Sequence, residues 1–270
     1  MSKWMSNAPV YYALAQARFN PVNMMSKYVD EIQDRLRGEY PQFGKQQLTQ
    51  LVIPGHGQAQ GASPQVEQTT SWLLTRSDGT AGFILAPWGI TFHTIHYQTH
   101  EQFIPELLAG LKTVHDVVKL DHVSRLGLRY LDAVLPRNGE TVEEYLVGGL
   151  HGIKFDATRR YTMTESMFTT EVKPLLSTGT LVTRVYRMNA PLGYPVDIAP
   201  NGLAVNPAFV VKEPLEHVVI DTDHFVEGQM PLDMNRLDEQ LLSLHGIIKS
   251  VFVATTTDYA RKAWGLITGE

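Results

Sequence analysis

Strand-patterned runs follow one another through short turns along most of this chain, and that succession is its strongest constraint on fold. In Val10 to Phe19, Tyr12, Leu14, Gln16 and Arg18 fall on one face of a strand. Tyr11, Ala13, Ala15, Ala17 and Phe19 fall on the other. Asn20-Pro21 stops the run, because proline lacks a ladder donor. A helix is predicted from about Met24 to Arg37, with Tyr28, Ile32 and Leu36 on its apolar side. Strands follow at Gln47 to Ile53, Trp72 to Arg76, Gly82 to Leu85 and Ile90 to Tyr97. Ser77-Asp78-Gly79-Thr80 reads as a hairpin turn. Thr99 and Gln102 suggest a capping box for a helix running to about Leu120, before a strand from Val123 to Val134. The order β-α-β-β-β-β-α-β requires antiparallel hairpins with helices gathered on one face, an α+β layer.

The second half repeats the style. A short helix over Thr141 to Leu150 carries a Thr141/Glu144 capping box. Strands are predicted at Tyr161 to Val172, Thr180 to Met188 and Val218 to Phe225. Asp233 or Asn235 caps a helix over about Leu237 to Phe252, and a last helix spans Thr257 to about Leu266. Pro54 to Pro64 reads as a mobile loop, and Asn189 to Pro207 as a proline-rich connection; both are natural contact segments. No low-complexity linker separates an N-terminal half, 1–138, from a C-terminal half, 139–270, so the two are expected to pack tightly. Glu106-Leu107-Leu108 and Gln240-Leu241-Leu242 each head a helix after a strand, a weak likeness that raises two related halves as an alternative to an unrepeated layer.

Composition removes several chemistries. The 270 residues contain no cysteine, so disulfides, thiolate metal sites, iron–sulfur clusters and cysteine nucleophiles are excluded. The net charge of −5 and scattered basic residues, adjacent only at Arg159-Arg160 and Arg261-Lys262, rank nucleic-acid binding last. No apolar run is long enough to span a membrane, and Met1 to Pro9 lacks the apolar core of a signal peptide, so a cytoplasmic setting is expected. Phosphate-loop, dinucleotide-fold, nucleophile-elbow and zinc-protease motifs are absent, and Gly55-His56-Gly57 lacks the helix a phosphate cradle needs. No cofactor is expected.

Three constellations remain. His93, His96 and His100 have helical metal-ligand spacing, but their β-branched and aromatic neighbours assign a strand, which sends His93 and His96 to opposite faces. Arg125 and Arg129 share a strand face with Gly127 between them, and Arg18 joins them if its strand is a neighbour. Such a trio either clamps a phosphate or carboxylate or pairs with carboxylates such as Asp132 or Glu165. Asp221 and Asp223 share another strand face, as a pair of carboxylates for a hard cation or as a polar strand edge.

Ala8-Pro9-Val10, Ala17-Arg18-Phe19-Asn20-Pro21, Tyr40-Pro41, Tyr97-Gln98-Thr99-His100-Glu101-Gln102-Phe103 and above all Arg125-Leu126-Gly127-Leu128-Arg129-Tyr130-Leu131-Asp132 carry a resemblance. With these runs the chain resembles an uncharacterised, sporadically distributed bacterial protein family of about this length. The resemblance implies an accessory, mobile-element or defence setting and no catalytic residue. The leading expectation is a non-enzymatic binding or assembly protein acting through a protein partner or a second copy. The alternative is an enzyme or sensor that holds a small anionic ligand, such as a nucleotide, through Arg18, Arg125 and Arg129, with Asp221 and Asp223 as metal ligands.

Overall fold

In the computed structural model, which describes residues 5–52, 65–137, 139–153, 155, 161–174 and 177–266, the strand-patterned runs join one antiparallel sheet of nine strands. The first part supplies β1 (Val10–Phe19), α1 (Val29–Leu36), β2 (Gln42–Val52), β3 (Gln65–Thr75), β4 (Ala81–Ala86), β5 (Gly89–Thr94) and α2 (His100–Val118). Then follow β6 (His122–Val134), α3 (Val142–Tyr145), β7 (Met163–Val172), β8 (Ser177–Ala190), β9 (Leu215–Pro231), α4 (Met234–Thr255) and α5 (Asp258–Ala263). The 54–64 segment with Gly55-His56-Gly57, and the Arg159-Arg160 pair, lie outside the described residues.

The strand order is β2-β3-β4-β5-β1-β6-β9-β8-β7. One connectivity appears twice. β1 pairs with β5, the last strand of its hairpin series, and β6 pairs with β9, the last of the next series. Each series then ends in a long helix, α2 or α4. The two sets meet where β1 and β6 run antiparallel at the centre. The expected division after residue 138 falls between β6 and α3, while β6 pairs with β9 along its whole length, from His122 to Val134.

Strand parity sorts the two faces. Ala13, Ala15 and Ala17 of β1, Phe83 and Leu85 of β4, Ile90 and Phe92 of β5, and Leu126 and Leu128 of β6 form the buried floor beneath the helices. Phe103, Leu107, Leu111 and Val114 of α2 and Leu237, Leu241, Leu244 and Ile248 of α4 cover it. The alanines and Gly110 set the depth of this packing. A Cβ on Gly110 would strike the Phe83 ring and approach Ile90 Cδ1 to 3.1 Å, so α2 rides on the sheet without a side chain there. Val134, Val185, Val218 and Ile220 extend the same face under α3 and α5, where Trp264 and Tyr145 close it.

The opposite face carries no helix. Residues 191–214 fold over its upper part, with Tyr194 and Phe209 against Tyr11 and Ile198 buried among them. Asn206 Nδ2 donates to the Ile95 carbonyl at 2.7 Å and the Ala204 amide to that of Gly79 at 2.9 Å. The proline-rich connection is therefore a packed cover over part of this face.

Local signals differ from expectation in a few places. Glu144 and Thr141 form the predicted capping box, and Asp233 caps α4 by accepting from the Asn235 and Arg236 amides. Thr99 sits at the α2 N-cap, but its side chain caps no amide and the Gln102 box does not form. β5 stops at Thr94 because the Thr94 hydroxyl accepts from the His96 amide at 2.9 Å and donates to the Thr80 carbonyl at 2.9 Å, which bends the chain. Among the described residues no helix is long and apolar enough to cross a membrane.

Gly110→Ala tests the close helix-to-sheet contact. The gain in helix propensity is about 1 kcal/mol, whereas overpacking a core costs about 1–3 kcal/mol. A lowered midpoint in thermal or urea unfolding is the expected outcome; a raised one would show that α2 has room to lift.

Candidate functional site

The uncovered part of the helix-free face is a cleft of about 410 Å³, and Arg18, Arg125 and Arg129 all line it. Register explains the convergence. Arg18 lies directly opposite Arg125 across β1 and β6, and Leu14 opposite Arg129. On the other side β9 places Asp223 opposite Arg129 and Glu227 opposite Arg125. The cationic and carboxylate constellations read separately in the sequence are thus two sides of one network.

Arg129 is bound up in that network. Its Nε and Nη2 donate to Oδ1 and Oδ2 of Asp221, both at 2.7 Å, a bidentate fork. Nη1 and Nη2 also donate to Asp197 of the covering segment at 2.6 and 3.1 Å. Asp221 is fully buried and Arg129 is 8% exposed. Burial by itself would weaken the Arg129 charge, but the hydrogen bonds to Asp221 and Asp197 outweigh it and raise its pKa. The same bonds hold the Asp197 carboxyl below the usual carboxylate range. Arg184 stands 3.8 Å from Asp221 and donates to Glu165 at 2.6 Å.

Arg125 and Arg18 are held differently. Arg125 comes no closer than 3.6 Å to Asp223 and 3.7 Å to Glu227, beyond hydrogen-bonding reach, and lies 4.1 Å over the Phe225 ring. Burial lowers its pKa, opposed by Asp223 and assisted by the charge of Arg18. Asp223 in turn is raised by burial, against the pull of Arg125. Arg18 is exposed, lies 4.9 Å over Trp88, and makes no ion pair among the described residues. Between the two guanidiniums stands Gln16. Its Oε1 accepts from Arg18 Nε and from Arg125 Nη1, each at 3.0 Å, and its amide donates to Thr91 Oγ1 at 3.1 Å. Like charges directly opposite on paired strands repel. A neutral carbonyl and two aromatic faces hold this pair in place, leaving most of their N–H donors unspent.

Gly127 makes room for Arg125 itself. A Cβ there would lie 3.0 Å from Phe225 Cβ and 3.1 Å from Arg125 Nη1. The space it leaves is filled by the Arg125 guanidinium lying on Phe225. Of the partners expected for these arginines, Asp132 is three residues from Arg129 and so points to the helix side, while Glu165 pairs with Arg184. Asp221 and Asp223 both face arginines. Both Asp221 oxygens are engaged by Arg129, and among the described residues no group of three or more His, Asp or Glu is placed to hold a metal. His93 is buried, with Nδ1 3.0 Å from the Tyr12 hydroxyl. His96 lies past the strand end beside Gln98, and His100 starts α2. Trp88, Gln16 and Asp197 complete the site and carried no local signature. Gln16 sits at the right parity beside Arg18, which was the one usable clue.

A scan against protein-family models, a search of curated proteins and a search of solved structures each return no match to this chain.

Breaking a buried ion pair by removing one partner costs about 3–5 kcal/mol, since the other charge is left uncompensated. Asp221→Ala should lower the unfolding free energy in urea by that much. Adding Arg129→Met should recover a large part of the loss, because the stranded cation is gone. Additive losses from the two substitutions would show that the pair is uncoupled.

Proposed function

We propose that this chain is a non-enzymatic binding protein whose helix-free sheet face receives an anionic group, a phosphate or carboxylate carried by a small molecule such as a nucleotide. One observation carries the reading. Arg18 and Arg125 face each other across β1 and β6 at the cleft, joined only by the Gln16 carbonyl, with unspent donors and incomplete charge compensation. An anion bridging them would supply the missing countercharge and use the forked N–H geometry of guanidinium. The cleft volume of about 410 Å³ matches small-molecule sites. Leu14, Ile84 and Trp88 offer apolar wall for the remainder of such a ligand. Arg129 positions Asp197 and the cover and does not join the clamp. The accessory setting rests on the sequence resemblance.

Calorimetric titration with inorganic phosphate, adenosine monophosphate and citrate tests this. At least one should bind with an affinity that weakens as salt rises. Arg125→Ala and Arg18→Ala should each weaken it at least about tenfold, in line with loss of a charge-assisted hydrogen bond worth about 1.5–3 kcal/mol. Absence of heat with all three, or binding untouched by Arg125→Ala, would sink the reading.

A protein partner is favoured by a separate observation. β7 is an edge strand, paired among the described residues only with β8, and it exposes Met163, Met167 (66% exposed) and Phe168. An edge with unpaired backbone and apolar side chains is a template for another chain. A second copy pairing there should appear as a concentration-dependent dimer in light scattering that Phe168→Asp abolishes. A monomer at all concentrations would remove this second copy.

A further inference from the structure

A second cavity, of about 170 Å³, lies on the helix side of the sheet, away from the arginine cleft. It sits where the lead into β1, the start of α2 and the middle of α4 meet over β6. Tyr97, Tyr130 and Phe252 supply aromatic wall, and Val10 and Ile248 aliphatic wall. Tyr97 and Tyr130 meet edge to face at 5.1 Å.

One side chain in this lining has no partner. Asp132 is 4% exposed, and its Oδ1 is buried without a hydrogen bond. Among the described residues no arginine or lysine forms an ion pair with it. Buried polar groups are almost always paired, and an orphan carboxyl at a cavity wall marks the place of an absent donor. Burial alone pushes its pKa up to about 7. The other titratable groups around it are Tyr11, Tyr97, Tyr130, His100, Glu101, His245 and Lys249. His245 stacks on His100 at 4.3 Å and accepts or donates at Tyr130 Oη over 3.3 Å. Burial, with His100 and Lys249, lowers its pKa to about 4, so it is neutral at physiological pH. Lys249 and Glu101, of opposite sign, stand at the rim.

We propose that this cavity binds a small organic ammonium ion, its nitrogen on the Asp132 carboxylate and its hydrocarbon part against Tyr97, Tyr130 and Phe252. A carboxylate supplies the countercharge, and aromatic faces attract a desolvated cation. The volume suits one ring: an engineered cavity of about 150 Å³ holds benzene. The site is independent of the anion cleft, since Asp132 and Arg129 point to opposite faces of β6.

Benzylamine is the probe, titrated calorimetrically into the full chain, with benzyl alcohol as its uncharged counterpart. The amine stays protonated from pH 6 to pH 8, so the carboxyl decides the pH dependence. Below about pH 7 Asp132 holds its proton and offers no charge; above it the carboxylate prevails. Benzylamine should therefore bind about tenfold more tightly at pH 8 than at pH 6, the ratio of ionised fractions for a pKa near 7. Benzyl alcohol should bind more weakly, without that trend. Asp132→Asn, which keeps the shape, should remove the preference for the amine, and His100→Gln should leave the pH trend in place. Equal binding of amine and alcohol, no binding of the amine at millimolar concentration, a flat pH profile, or a trend that vanishes with His100→Gln would each overturn the proposal.

Discussion

The bidentate pair of Arg129 and Asp221 is the interaction on which the helix-free face depends. A fully buried ionised aspartate needs a countercharge, and the fork of Arg129 engages both Asp221 oxygens at 2.7 Å each. The contact joins β6 to β9, the pairing that fastens the second strand series to the centre of the sheet. It also reaches out of the sheet. The remaining donors of Arg129 hold Asp197, and Asp197 belongs to the segment that covers the upper face. One guanidinium therefore ties β6 to β9 and fixes the edge of the cover. The cover, in turn, bounds the cleft.

Fixing Arg129 in this way divides the labour among three arginines on one surface. Arg129 has two carboxylates and is spent on structure. Arg125 has two at a distance and an aromatic ring beneath it, and Arg18 has only Gln16 and Trp88. Charge compensation thus declines along the cleft from Asp221 towards Trp88. An anion is drawn to the uncompensated end. The same gradient disfavours a cation there, because the aspartates that would hold it already face guanidiniums. On the helix side the balance is reversed. Among the described residues Asp132 forms no ion pair, and phenols and a neutral imidazole share its cavity, with Lys249 and Glu101 at the rim.

Period-two patterning was enough to place the strands and to show that Arg125 and Arg129, Asp221 and Asp223, and Gln16 and Arg18 each share a face. It did not show that these faces are one surface. Which strands pair, and in what register, is decided by burial of the alternate face, where Ala13, Ala15 and Ala17 meet Tyr130, Leu128 and Leu126. Those contacts join residues more than a hundred positions apart and leave no local trace. The same limit hid Asp197, which arrives from a proline-rich connection, and the cavity that Asp132 and His245 both line. Asp132 was offered as a partner for the arginines although its parity relative to Arg129 assigns it to the other side. The repeated connectivity of the two strand series was legible only as a faint likeness between two helix starts, because topology repeats without repeating sequence.

The division between a structural Arg129 and a receptive Arg18–Arg125 pair can be read residue by residue from the arginine Nε–Hε resonances. Nitrogen-15 spectra recorded while phosphate is added should show the Arg18 and Arg125 signals shifting together with one affinity. The Arg129 signal should stay in place and exchange slowly with solvent, as a doubly paired buried guanidinium must. A shift of Arg129 ahead of the other two, or three signals that move alike, would contradict the account.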